Sequence, residues 1–500
     1  MDQHSPRDYS ELQKPLENFR TKAKRLKVHP MELAVLWVVS IHFIFLPWAI
    51  GTMRPWGQAI SLGLAVIGFL LALMPRNYTT EHTGAAEFRL LTWPKLVKFP
   101  VFWIGLALLG YVVLQANNPA WTYKTDGKTW WMTKTDFTSW LPRGTSSSFT
   151  LWNQWRMLLI YTSAWLTVCT IWIAFTRRRT VQFFLLALGI NGLLLAIFGV
   201  AQRFSGTEKI YGFYVSQNPQ FFASFVYKNH GAAYLFLALV VTCGLAGWYY
   251  LRGLRRMEKS NPSGVIAFFA TCIAVAILTS YARGVTLTML AFLLACLVAF
   301  IIHQWVIPKE NRKPLIAVVL VIIFGYFLKT GFDTLASKEA WDRLKAGIAR
   351  EDFSLELRER ATKASLEMLN DTWTHGIGAG SYRFLFPIYQ HRYPELTTNT
   401  EGRNMFWEHA HNDIVQIPIE FGAVGTALIL LIVGYFLVRL LRGFFWENPL
   451  SSCLILGALL LVGYSWWDFP FQNPAILITW WALWPLATMW AQFEESGAQS

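Results

Sequence analysis

The chain has 500 residues, of which 54% are hydrophobic and 15% charged, and its formal net charge is +14. An average soluble chain carries about 25% charged residues, so a string of soluble domains is excluded, and 25 Trp, 18 Tyr and 37 Phe exclude a disordered chain. The positive balance leaves nucleic acid, an anionic membrane surface or an acidic substrate as partners, and the placement of the charge decides among them.

Residues 1–31 are basic and lack an apolar core, so they read as a cytoplasmic segment rather than a cleaved signal. Leu12, Leu16, Phe19, Ala23 and Leu26 recur at helical spacing among Lys14, Arg20, Lys22, Lys24, Arg25 and Lys27. That pattern leaves open a basic amphipathic helix on the inner leaflet or a solvated tail.

Twelve apolar stretches follow, near 32–53, 56–74, 98–116, 155–175, 180–202, 229–251, 264–281, 284–306, 314–332, 412–438, 450–467 and 475–493. A hydrocarbon core about 30 Å thick takes about 20 helical residues. The expected fold class is therefore all-α, a polytopic bundle of about 12 transmembrane helices. Nine spans occupy 32–332, one large helical loop occupies 333–410 with a helix near 355–370, three spans occupy 411–493, and 494–500 form a tail.

With the N-terminus inside, the basic clusters Arg177–Arg178–Arg179, Arg252 to Lys259, Lys309 to Lys313 and Arg439 with Arg442 all fall on cytoplasmic connections. The expected location is thus a multi-pass inner membrane protein with both termini cytoplasmic and the large loop periplasmic. Cys169, Cys243, Cys272, Cys296 and Cys453 all lie in apolar spans, so they read as packing residues. No GxxxxGK[ST] element is present, so no nucleotide-driven pump is indicated. Gly376-Ile377-Gly378-Ala379-Gly380 has no preceding strand and reads as a tight turn entering the bundle.

A charge at mid-membrane costs on the order of 3 kcal/mol, so ionisable residues in spans are functional candidates. Asn412, Gln416 and Glu420 recur every four residues and share one helical face, either a substrate-facing stripe or a polar seam between helices. Just before them stands Glu408-His409-Ala410-His411-Asn412-Asp413. Glu408, His409, His411 and Asp413 are metal-type ligands, but neighbouring positions do not converge without further ligands, and no metal is expected. Arg203, Arg283 and Arg358 stand at the outer boundary, where a guanidinium suits phosphate because its planar fork binds two oxygens and keeps its charge. A histidine base beside fixed cations suits transfer of a glycan from a pyrophosphate-linked lipid.

Those residues also carry a family resemblance. His411-Asn412, nine residues, then Gly422-Ala423-Val424-Gly425 resembles the signature of the bacterial O-antigen ligase and polymerase superfamily, which includes membrane O-oligosaccharyltransferases. Ser280-Tyr281-Ala282-Arg283-Gly284, Arg358 with Leu366 and the 376–380 glycines, and Asp468-Phe469-Pro470 resemble its other elements in the expected order, so the likeness covers about 190–490. One element departs: Gln220, Ala223-Ser224-Phe225 and Tyr227-Lys228-Asn229 align with a pattern whose arginine is absent here, and either Arg203 or Lys228 takes its role.

The resemblance implies a GT-C-like glycosyltransferase that moves an undecaprenyl-pyrophosphate-linked glycan to an acceptor at the periplasmic face, inverting the linkage and using no cofactor. The acceptor is a lipid A core, a second glycan or a protein, with O-antigen ligase ranked first. By motif position His411 is the base and Arg283 the phosphate clamp, and Arg203, Arg358, Lys228, Asn229, Asn412, Gln416 and Glu420 are substrate-binding. Membrane lipids are further partners and nucleic acid is none. A reading from another class, a flippase or transporter of lipid-linked glycans, fits less well, because transporters spread ionisable residues over several broken mid-membrane helices.

Overall fold

A computed structural model describes residues 27–83, 87–216, 218, 220–257, 260–306, 313–335, 353–398 and 404–498. The basic N-terminal pattern at 12–26 lies outside the described residues. Each of the twelve expected spans is a helix: α1 Pro30–Trp48, α2 Pro55–Leu73, α3 Pro100–Asn117, α4 Gln154–Ala174, α5 Arg178–Phe204, α6 Lys228–Arg255, α7 Ser263–Thr279, α8 Arg283–Val306, α9 Pro314–Leu335, α12 Asp413–Arg442, α13 Pro449–Tyr464 and α14 Pro474–Ala498. Between α9 and α12 lie α10 (Phe353–Thr372) and α11 (Tyr382–Gln390). Proline opens α1, α2, α3, α9, α13 and α14, where its missing N–H costs nothing and its fixed φ suits the first turn. Asn153, Asn412 and Asn448 cap α4, α12 and α13 through their side-chain oxygens.

Among the described residues, eight helices are long and apolar enough to cross a membrane, and α7, α13 and the first part of α9 are shorter apolar helices. The protein is a polytopic helical membrane protein. Helix α6 runs through the middle, with 83% of its apolar window buried, and packs on α5, α7 and α13. Lipid tails are as apolar as leucine, so close packing and interhelical hydrogen bonds hold such a bundle, each bond contributing about 0.6 kcal/mol. Trp48 Nε1 donates to Asn191 Oδ1 (2.8 Å), linking α1 to α5. His42, Ser61 and Ser163 form a buried chain across α1, α2 and α4, with contacts of 2.7 and 2.9 Å.

Short strands supplement the helices. β1 (Arg76–Tyr78) pairs with β2 (Phe88–Leu90), and β6 (Lys209–Ile210) with β7 (Tyr214–Val215). Between α3 and α4, β3 (Pro119–Thr125) pairs antiparallel with β4 (Trp130–Lys134) and parallel with β5 (Gly144–Ser146). Asp126 Oδ1 accepts the amides of Lys128 (2.9 Å) and Thr129 (2.6 Å), which closes the β3–β4 turn. Trp121 and Met132 of this sheet pack on a small second core formed by α10, α11 and the start of α12, including Met368, Phe386 and Val415. That cap sits over the end of the bundle where α6, α8 and α12 begin.

Candidate active site

Two segments meet where α12 begins and the turn after α13 ends. The Asp413 amide donates to Ser465 O (2.9 Å), and the Asp413 carboxylate accepts the Phe471 amide (2.8 Å) and the Gln472 side chain (3.0 Å). His411 stands at the junction with φ 52°, a left-handed conformation costly for a residue with a Cβ and held here by the packing around it. Its Nδ1 lies 3.8 Å from Asp468 Oδ1, an electrostatic pairing rather than a formed hydrogen bond. The other oxygen of Asp468 accepts from the Tyr464 hydroxyl and from Asn229 Nδ2.

Phe469 is the hub. His411 and His230 meet its ring edge-on, at 4.6 and 5.0 Å, while His409 and Tyr227 stack on it, at 4.7 and 5.5 Å. Trp407 meets the His411 ring edge-on at 5.6 Å. Burial lowers the His411 pKa below 6.5, Asp468 opposes the shift, and Arg358 reinforces it. His411 is therefore neutral at pH 7. The facing carboxylate favours the tautomer with its proton on Nδ1, which leaves Nε2 as the basic nitrogen. Burial pushes the Asp468 carboxyl up, but His411, Arg358 and the Tyr464 hydroxyl outweigh it and hold Asp468 well below the usual carboxylate range. The pair is a charged acceptor beside a neutral imidazole.

Cations gather beside this pair. The charges felt at Lys228 are those of Arg283, Arg203 and Arg358, so four basic residues from α5, α6, α8 and α10 share one neighbourhood. Arg358 donates to Trp467 O (3.0 Å) and lies close enough to Asp468 and Tyr227 to interact with both. Arg203 lies over the Tyr281 ring at 5.0 Å. Gly284 follows Arg283 because a Cβ there would stand 2.6 Å from Tyr464 Cε2. The small residue lets the start of α8 rest on the tyrosine that bonds Asp468.

Residues 267–430 match the family described as O-antigen ligase. The match spans about a third of the chain. No curated protein matches the chain. The O-antigen ligase region runs from α7 into α12, so it contains Arg283, Arg358 and His411, while Arg203, Lys228 and Asp468 lie outside it.

The sequence-expected residues divide into two groups. His411, Arg283, Arg203, Arg358 and Lys228 converge. Arg203 and Lys228, the two alternatives for the absent arginine, both stand in this cluster. Asn229 turns to Asp468. Asn412 caps α12, its Oδ1 accepting the Val415 amide at 3.2 Å. Gln416 accepts the Ala410 amide (2.9 Å) and donates to Glu420 Oε1 (3.0 Å). Glu420 accepts the amides of Gly380 (2.9 Å) and Tyr382 (3.3 Å), anchoring the start of α11. The 412–416–420 stripe thus serves as a seam.

That seam continues into the glycine-rich turn. Gly422 breaks the helical backbone of α12 (φ 64°, ψ −173°), and the carbonyls of Ile419 and Glu420 accept the amides of Ile377 (3.1 Å) and Gly378 (3.0 Å). Gly376 has φ 70°, and a Cβ there would lie 2.4 Å from Glu420 O, so no other residue fits.

Among the described residues no group of three His, Cys, Asp or Glu is arranged to hold a metal ion. Sequence reasoning missed a role for Asp468, Tyr464, Tyr227 and Phe469. Asp468, Phe469 and Tyr227 stood in elements of the family likeness, and Asp468 carried the further signal of a carboxylate between two spans. Arg383 was also missed, and it contacts His409 Nε2 at 3.3 Å.

Proposed function

We propose that this protein is a membrane glycosyltransferase that moves a polyprenyl-pyrophosphate-linked glycan onto an acceptor hydroxyl, with O-antigen ligation the leading reading, ahead of glycan polymerisation and protein O-glycosylation. The carrying observation is a neutral, Asp468-oriented His411 beside the Arg203–Lys228–Arg283–Arg358 cluster. His411 Nε2 takes the proton of the acceptor hydroxyl as its oxygen attacks the anomeric carbon. The bond from that carbon to the pyrophosphate oxygen breaks, and the leaving group departs with the electron pair. Attack opposite the leaving group inverts the linkage.

Pyrophosphate leaves as an anion, so fixed cations stabilise the charge that develops. Loss of one such donor elsewhere costs about 10² to 10³ in kcat. The undecaprenyl lipid as donor carrier, a metal-independent reaction and GT-C-like architecture belong to the same reading and are supported by the likeness of the motifs. A periplasmic active site with cytoplasmic termini is supported by the arginines and lysines of the opposite connections.

The test is reconstitution in lipid vesicles with undecaprenyl-pyrophosphate-linked glycan and three acceptors in turn: lipid A core, a second lipid-linked glycan and a pilin-like protein. His411→Ala and Arg283→Ala are expected to abolish transfer while the protein inserts at normal levels. Retained transfer in both variants overturns the site. Loss of activity on chelation, restored by a divalent ion, overturns the metal-independent mechanism.

A further inference from the structure

Beyond Phe469, on the His409 side, stands a group that the transfer chemistry above does not use. Arg383 of α11 is 8% exposed. It contacts His409 at 3.3 Å, faces Glu408 at 3.5 Å, and lies over the Trp152 ring at 5.5 Å. Next to it in sequence, Phe384 meets Tyr123 and Trp130 at 5.5 and 6.3 Å. Trp130 in turn stacks on Tyr123 (5.8 Å) and meets Phe406 at 5.9 Å. Phe406 is 50% exposed and stands two residues before Glu408. A continuous aromatic surface therefore ends at an Arg–Glu pair that adjoins the candidate active site.

Lipid contact does not account for this surface. The β3–β4 hairpin that supplies Tyr123 and Trp130 also carries exposed Lys124, Asp126, Lys128 and Lys134, which places it in water. A half-exposed phenylalanine backed by a tryptophan, rimmed by one carboxylate and one guanidinium, has the composition of a sugar subsite. Sugar C–H groups carry partial positive charge and stack on the negative face of an aromatic ring. Hydroxyls donate to a carboxylate and accept from a guanidinium. Glu408, Glu420 and Arg156 all act on Arg383, and Arg156 and Arg383 share the Trp152 ring. Arg383 reaches His409, whereas Arg358 of the cation cluster bonds Trp467 O, so the two groups approach the site through different neighbours.

We propose that Trp130, Phe406 and the Arg383–Glu408 pair bind a sugar of the acceptor glycan. This rests on the transferase reading. Phe406→Ala and Trp130→Ala, made in the full chain in lipid vesicles, are expected to raise the acceptor KM about tenfold with donor KM and kcat unchanged. Tenfold corresponds to about 1.4 kcal/mol. Tryptophan fluorescence titration with free acceptor oligosaccharide, in the absence of donor, is expected to show the same loss of affinity.

Transfer with an unchanged acceptor KM in both variants, or a rise in donor KM alone, overturns the inference. Oligosaccharide binding that depends on Phe406 in a protein that transfers no glycan supports the subsite and overturns the transferase reading instead.

Discussion

The Asp413 carboxylate accepts the backbone amide of Phe471 at 2.8 Å across 58 residues of chain. This contact fixes the turn bearing Asp468 against the helix start bearing His411. Asp413 and Gln472 are buried and Phe471 is half-buried, so Asp413→Ala strands the Phe471 N–H and the Gln472 side chain, each at a cost of about 1–3 kcal/mol. The variant is expected to melt earlier than wild type and to lose most of its kcat, with Asp413→Asn intermediate in both. Calorimetry and initial rates on the same preparation check this. Wild-type kcat in Asp413→Ala would show that the two segments hold their geometry without it.

The acid limb of activity follows from His411. Its pKa is lowered by burial, so the base stays deprotonated below pH 6.5 and kcat/KM falls only at lower pH. Asp468 raises the His411 pKa against burial, so Asp468→Asn is expected to move the limb further toward acid while lowering the plateau. A pH–rate profile of the two proteins checks the sign, and a shift toward neutral pH rules out the proposed orientation of the imidazole.

Arginine and lysine are not equivalent in the cation cluster. Arg283→Lys keeps the charge and loses the planar fork, so it is expected to retain more transfer than Arg283→Ala and less than wild type. Lys228→Arg is expected to be better tolerated. Equal rates for Arg283→Lys and Arg283→Ala would mean that charge at this position is irrelevant to the leaving group.

Gly284→Ala brings a methyl group to 2.6 Å from the Tyr464 ring. The ring is backed by the bundle, and its hydroxyl holds Asp468, so the expected result is a drop in kcat of tenfold or more with little change in donor KM. Steady-state kinetics with varied donor reads this, and a pure KM effect would place Gly284 at the substrate rather than behind it.

Glu420 separates the seam from the site. Its two oxygens receive Gly380, Tyr382 and Gln416, and a glutamine presents an amide N–H₂ to one set of those donors. Glu420→Gln is expected to destabilise the protein by about 1–3 kcal/mol and to leave the donor KM unchanged. Thermal melting with donor titration decides, and a raised donor KM at full stability would return Glu420 to the substrate-binding group.

The twelve helices at the expected spans are legible as apolar stretches, because a span announces itself locally, by residue type over about 20 positions. The β3–β4 hairpin is less legible inside a polar connection, although Asp126-Gly127 between runs rich in Thr, Trp and Tyr is a turn signal. His411 and Arg283 stand out because each sits at a span boundary in a recognisable motif. Helical periodicity places Asn412, Gln416 and Glu420 on one face, and it carries no information on what that face meets.

What the sequence by itself determined is therefore a polytopic helical chain, with His411 and the arginines at span ends as its candidate site residues. Only the tertiary structure decided that Asp468 faces His411, that Arg203 and Lys228 both join Arg283 and Arg358, and that Glu420 turns away to hold the glycine-rich turn. Asn229 and Asp468 meet across 239 residues. Such contacts depend on how helices pack rather than on any local pattern, and packing selects which of the many polar side chains at one end of a bundle share a site.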